Sequence, residues 1–261
     1  MTTMADVTVH FGLVELDLLA THAGVPFPYP LRVPSFGRVT DERDTLLADA
    51  GHALMARGLA GEHGPLGAAA DLVTALREHR GAVDLVVVGG GTTTGVVAMV
   101  HRTWAVVCGQ VFGTATVQVR RVARAALTDA LAGAAPVVPA APTIPITLPP
   151  GVVPDALRLL GDTAENVARH RLRDLVRHHG GDPDVVDRLA ELLPTVAGRG
   201  QLGATRRGGG RAGPELSWLD SPRGRVRVDH ADDGWTSVNP LRHNEFLQAV
   251  GAAVTIAREP W

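Results

Sequence analysis

Residues Asp84 to Arg120 read DLVVVGGGTTTGVVAMVHRTWAVVCGQVFGTATVQVR. Four β-branched runs, DLVVVG, GVVAMVH, WAVVCGQV and TATVQVR, are separated by GGGTTTG, HRT and FGT, the spacing of a four-stranded antiparallel meander. On its N-terminal side the pattern is a short strand, Val7 to His10, followed by three helices. The first runs from about Leu13 to His22. The second starts at Thr40, where Asp41, Glu42 and Asp44 suit the positive end of a helix, shows a face of Leu46, Leu47, Ala50 and Leu54, and stops at Gly58. The third runs from about Leu66 to Arg80. On the C-terminal side the meander passes at Arg121 into a helix, RVARAALTDALAG, and then into a proline-rich run from Pro136 to Pro154.

The second half repeats this order. A long helix is expected from Asp155 to about His178, ended by Gly180 and Gly181, and Asp182 with Pro183 begins another in the N-cap and N1 pattern. Four short strands follow, around QLGATRR, ELSWLD, RVRVD and WTSVN, and a last helix runs from about Pro240 to Ala257. The expected fold is therefore α+β: a central antiparallel β-sheet with packed α-helices, in two pseudo-twofold-related halves. The chain is read as one domain over 1–261, with half-repeats 1–133 and 155–261 joined by a Pro-rich crossover 134–154. Strict apolar alternation in the second-half strands implies one solvated sheet face there.

The 261 residues are 45% hydrophobic and 20% charged, with a net charge of -2, too apolar and too nearly neutral for disorder. Balance between 25 basic and 27 acidic residues removes the long-range positive field that steers nucleic acid. A single cysteine, Cys108, excludes an internal disulfide and fits a reducing compartment. The opening MTTMADVTVH has neither a basic nor an apolar leader region, and the longest uncharged stretch, Ala130 to Pro154, carries seven prolines. A cytoplasmic protein without membrane insertion is expected.

No local motif calls for catalysis. The Gly89 to Gly95 loop, GGGTTTG, follows a strand as a phosphate loop would, yet the chain has no lysine, and the GVVAMV after it is strand-like rather than helical. It reads as a mobile hairpin loop. His170, His178 and His179 lack the three- or four-residue spacing that puts two metal ligands on one helix face. Cys108 alternates with core residues, and Ser35, Ser217, Ser221 and Ser237 have no G-x-S-x-G context. No metal, no cofactor and no enzyme are expected. Two alternatives remain: a phosphate- or nucleotide-binding enzyme using the 89–95 loop, and a nucleic-acid-binding module. The latter would use Arg206, Arg207, Arg211, Arg223, Arg225 and Arg227 on the C-terminal hairpins, where Trp218 and Trp235 supply the aromatics.

Taken together, Gly200-Gln201-Leu202 opening a strand, LSWLDSPRGR from Leu216 to Arg225 and DGWTSVNP from Asp233 to Pro240 resemble the EspG family. Members of that family are cytosolic chaperones of actinobacterial type VII (ESX) secretion systems. Its D-T-P-x-G-R hairpin is matched here with Ser221 in place of threonine. LRVPSFGRVTDER, Leu31 to Arg43, looks like the family's V-P-x-x-G…E-R approach to the second helix. In the hairpin, Asp220 is expected to cap the turn, Pro222 to fix φ, Gly224 to supply turn freedom, and Trp235 to anchor a strand in the core. The resemblance implies binding rather than catalysis: capture of the helical tip of a PE/PPE-like heterodimer, keeping it soluble before export. It also allows a homodimer that covers the empty groove. The expected contact residues are Thr92, Thr93 and Thr94 on the hairpin loop, and Arg206, Trp218 and Arg227 on the sheet, with Trp218 more readily read as core.

Overall fold

Alternation of β-branched residues builds the meander as its spacing predicts. The computed structural model describes residues 7–160, 165–192, 196–208 and 210–259. In chain order the elements open with β1 (Val9–Gly12), α1 (Leu13–Ala23), α2 (Thr40–Ala56), a two-rung ladder of β2 (Ala60–Gly61) and β3 (Gly64–Pro65), and α3 (Gly67–Glu78). The meander is β4 (Gly81–Gly89), β5 (Thr92–Val100), β6 (Trp104–Val111) and β7 (Thr116–Ala123), closed by α4 (Leu127–Ala132). Then come β8 (Ile146–Leu148), α5 (Val152–Leu160), α6 (Glu165–His178), α7 (Val185–Leu192), β9 (Gly198–Arg206), β10 (Leu216–Ser221), β11 (Gly224–His230), β12 (Thr236–Pro240) and α8 (His243–Arg258).

The chain divides into two compact units. The first comprises 1–136, 202–215 and 247–261, and the second 137–201 and 216–246. In the first unit β1 pairs with β7, β7 with β6, β6 with β5 and β5 with β4, all antiparallel. The end of β9 lies beside β4, where the Arg207 N–H donates to Arg80 O at 2.8 Å. One sheet face meets α1 and α3, burying Phe11, Leu16, Leu72, Leu76, Met99, Val106 and Cys108 in a common core with Leu54 of α2. On the opposite face Val83, Leu85, Ala98, Val100 and Ala105 are buried too.

In the second unit β10, β11, β12 and β8 form an antiparallel ladder. Val226, Val238, Ile146 and Leu148 pack from it against Val152, Val176, Val185 and Val186 of α5, α6 and α7. The other face carries Arg227, Asp229, Ser237 and Asn239, half-buried and polar, but Trp218, Asp220 and Arg225 on that same face are buried, so it is solvated only in part, against the expectation of one solvated face.

Several expectations are corrected. β1 lies two residues later than Val7 to His10, and β7 runs on past Arg121, because Arg121 and Ala123 stay in register with Val106 and Trp104. The proline-rich crossover is not a bare connection: β8 adds to the edge of β12 through Ile146↔Val238 and Leu148↔Thr236. Pro145 and Pro149 flank that strand, where their missing donors cost no ladder bond. The long helix expected from Asp155 starts earlier, at Val152, and residues 161–164 within its span, including Ala164, lie outside the described residues.

Candidate partner-binding surface

Gly90 and Gly91 have φ of +58° and +75°, the left-handed pair that a two-residue hairpin turn requires, and Gly89 faces Thr92 across it. The turn is therefore shorter than GGGTTTG suggests. Thr92, Thr93 and Thr94 are the first three residues of β5, opposite Gly89, Val88 and Val87, and not a mobile loop. The Thr92 hydroxyl donates to Gly89 O at 3.0 Å, and Thr93 O accepts the Phe112 N–H at 2.8 Å. No helix follows the glycines, so no helix N-terminus faces the loop to hold a phosphate.

Thr92 and Thr94 point to the face away from α1 and α3, since strand side chains alternate. There Thr94, Val96, Val107, Val111, Gln118 and Arg120 line an open groove of about 770 Å³ on β5, β6 and β7. Asp129 and Ala130 of α4 wall its side, and Arg120 donates to Ala130 O at 3.2 Å. The floor is apolar and β-branched, the margins hydroxyl and amide. Of the expected contact residues only Thr94 lines this groove. Its other residues were missed, although TVQVR, with Val117 and Val119 in the core and Gln118 and Arg120 opposite, announces the open face by its period of two.

Arg206 belongs to the first unit but not to the groove. It pairs with Glu259 at 2.5 Å, and its neighbour Arg207 is bonded to Arg80, just before β4. Thr92 sits at the other end of that strand, about 25 Å along it at the usual rise per residue. In the second unit Trp218 and Arg227 are direct cross-strand partners. Trp218 is 1% exposed and meets Phe246 edge-on, with ring centroids 5.4 Å apart, so it is a core residue and offers no free surface. Arg227 is half-exposed, its Nη2 donating to Asp229 Oδ1 at 2.6 Å. The arginines of this region are largely matched by carboxylates: Arg211 by Asp84 and Glu215, Arg225 by Asp220. Such pairing offsets much of the positive charge that a nucleic-acid backbone would follow.

The sequence profile of the EspG family matches residues 13–252. The chain belongs to the EspG family. No curated protein matches it in sequence. Among solved structures it is similar to the Mycobacterium tuberculosis type VII secretion system chaperone EspG5 in complex with PE25-PPE41 dimer. The TM-score is 0.66 at 13% identity, covering 96% of this chain and 95% of that one. A match to HtdX from the same organism, at 13% identity over 90% of this chain and 100% of that one, has a TM-score of 0.13 and is no likeness in fold.

The motifs that carry the EspG resemblance are structural nodes. Asp220 does not cap its turn; its carboxylate takes a two-pronged ion pair from Arg225, Nε to Oδ1 at 2.6 Å and Nη2 to Oδ2 at 2.9 Å, with Arg225 only 2% exposed. The Arg225 guanidinium also stacks near Trp218 and Phe246, at 5.2 and 5.4 Å from the ring centroids. Ser221 does the capping, accepting the Arg223 N–H at 3.1 Å. Gly224, at φ +124°, has to be glycine: a Cβ there would stand 2.7 Å from Ala141 N and Pro139 O of the crossover. Trp235 is 41% exposed and lies before β12, in a turn closed by Ala231 and Gly234, so it does not anchor the core; Trp218 does. In the first unit Arg43 holds Asp17 through bonds of 2.8 and 3.1 Å, and the Phe36 N–H adds another at 2.8 Å. Burial raises the Asp17 pKa, but these bonds and the Arg43 charge outweigh it and hold the carboxyl below its usual range.

Two further groups have displaced protonation. Burial pushes Asp84 up, only partly offset by Arg211, and pushes the Cys108 thiol up to about 12, which fits a core residue and not a nucleophile. Among the described residues no three His, Cys, Asp or Glu side chains stand close enough to hold a metal ion.

Proposed function

We propose that this EspG-family protein is a non-enzymatic, cytoplasmic chaperone of an actinobacterial type VII secretion system that binds the helical tip of a PE/PPE-like heterodimer and keeps it soluble. The observation that carries the reading is family membership across residues 13–252, supported by a fold shared with EspG5, which was solved with a PE25-PPE41 dimer bound. The open groove suits the role: its valines take the apolar residues of a tip, and Thr94 with Gln118 supplies hydrogen bonds at the margin, with Thr92 beside it on the same strand. Arg227, on the polar face of the second unit, is a second contact. Thr93, Arg206 and Trp218 act on the partner only through the elements they hold. Among the described residues no helix is long and apolar enough to cross a membrane.

Co-expression with the PE/PPE-like pair encoded beside it tests the reading. A soluble complex that survives affinity capture and size exclusion is expected, whereas a folded protein that leaves the pair insoluble and unbound overturns it. Without partner, the empty groove favours self-association. Light scattering over a concentration series is expected to show a mass that rises toward a dimer and falls back when the pair is added.

A further inference from the structure

At the end of the first unit's sheet opposite the Gly90–Gly91 turn, four arginines converge. Arg80 precedes β4, Arg102 lies in the β5–β6 turn, Arg124 follows β7 and Arg258 ends α8. With His101 and Glu259 they line one cavity of about 410 Å³. Backbone bonds fix this arrangement: Arg80 N to Val100 O at 2.8 Å, His101 N to Trp104 O at 2.9 Å, and Arg124 N to Thr103 O at 3.3 Å.

The cluster contrasts with the ion-paired arginines of this chain. Arg43, Arg57, Arg121, Arg211, Arg225 and Arg227 each sit on a carboxylate. None of the four cavity arginines has a side-chain hydrogen bond or carboxylate partner among the described residues. The acid in the wall, Glu259, is engaged by Arg206 at 2.5 Å. His101 stacks on Trp104 at 4.6 Å, and its Nδ1 is buried without a partner. Like charges gathered in a concave site repel one another and focus a positive field, and an anion relieves both effects.

We propose that this basin binds a compact, multiply charged phosphoanion of the di- or triphosphate class. Guanidinium forks match phosphate oxygens two at a time, and a cavity of this size sits within the range of small-ligand sites. A diphosphate brings several charges within one small group, which suits cations converging on a basin; an acidic peptide spreads its charges along a chain.

The test is calorimetric titration of the full chain with sodium pyrophosphate at constant ionic strength, without any secretion partner, so that it stands apart from the chaperone reading. Saturable binding is expected. It should weaken at least about tenfold in the Arg102→Gln/Arg124→Gln double variant, whose lost groups leave no bond broken. Glu259→Gln, which frees Arg206, is expected to tighten it. Circular dichroism checks that each variant is folded, and the single Arg102→Glu variant is expected to weaken binding to the same extent should the double one fail to fold. Heat no different from that of sodium chloride at equal ionic strength, binding unchanged in the arginine variants, or binding of hexaglutamate in place of pyrophosphate each overturns the proposal.

Discussion

Asp220 and Arg225 depend on each other because both are taken out of water and each meets the other's charge through two bonds. Removing one leaves a buried charge, so Asp220→Ala is expected to cost about 3–5 kcal/mol in urea unfolding. Trp235→Ala, at a half-exposed turn position, should stay within about 0.5 kcal/mol. That contrast separates the roles of two residues from one stretch of motif. Composition and spacing could not assign them: whether an aromatic is buried depends on what covers it, and Trp218 is covered by Phe246, which lies 28 residues further along the chain. Asp17 gives a pH signature. Since its folded pKa is lowered, its contribution is fully present above the usual carboxylate range and is lost as pH falls through the lowered folded value. The Asp17→Asn protein should therefore lose less stability than the parent between neutral pH and pH values below that range, as thermal melts across acidic buffers would record.

A six-residue α4 is too short to cover four strands, and this leaves the groove open. The strands themselves were legible, as were α1, α2 and α3, because period-two and period-3.6 patterns are local. Which face stays uncovered was not, since it follows from the length of a neighbouring element. The threonines illustrate the same limit: three in a row after glycines look like a loop, but a left-handed Gly90–Gly91 pair turns the chain at once and returns them to the ladder. If the groove takes the partner, Thr94→Arg reaches into it from the margin with a long cation while leaving the β5 backbone bonds intact. Capture of the PE/PPE-like pair should fall at least about tenfold, with the melting temperature of the free protein within a few degrees of the parent. Capture at parental levels would move the contact elsewhere.

At the scale of the molecule, three helices, four antiparallel strands and a closing helix occur in the first half, and α5, α6, α7, β9 to β12 and α8 repeat that order. We propose that this repetition is the pseudo-repeat that the element order in the sequence suggested. The compact units, however, do not follow it: residues 202–215 and 247–261 belong with the first 136. Removing everything after Phe246 therefore takes Val250, Val254 and Ala257, all buried, from the first unit and not from the second. Each lost valine costs about 1.5–3 kcal/mol, so the truncated chain should precipitate or melt without a cooperative transition, as calorimetry would record. The same discontinuity bears on synthesis. A ribosome delivers residues in order, yet the unit that begins at the N-terminus is finished only by the final helix, so its core must wait for Val250, Val254 and Ala257 while the entire second unit emerges. A protein proposed to shield the exposed apolar surfaces of others spends its own birth needing the same protection.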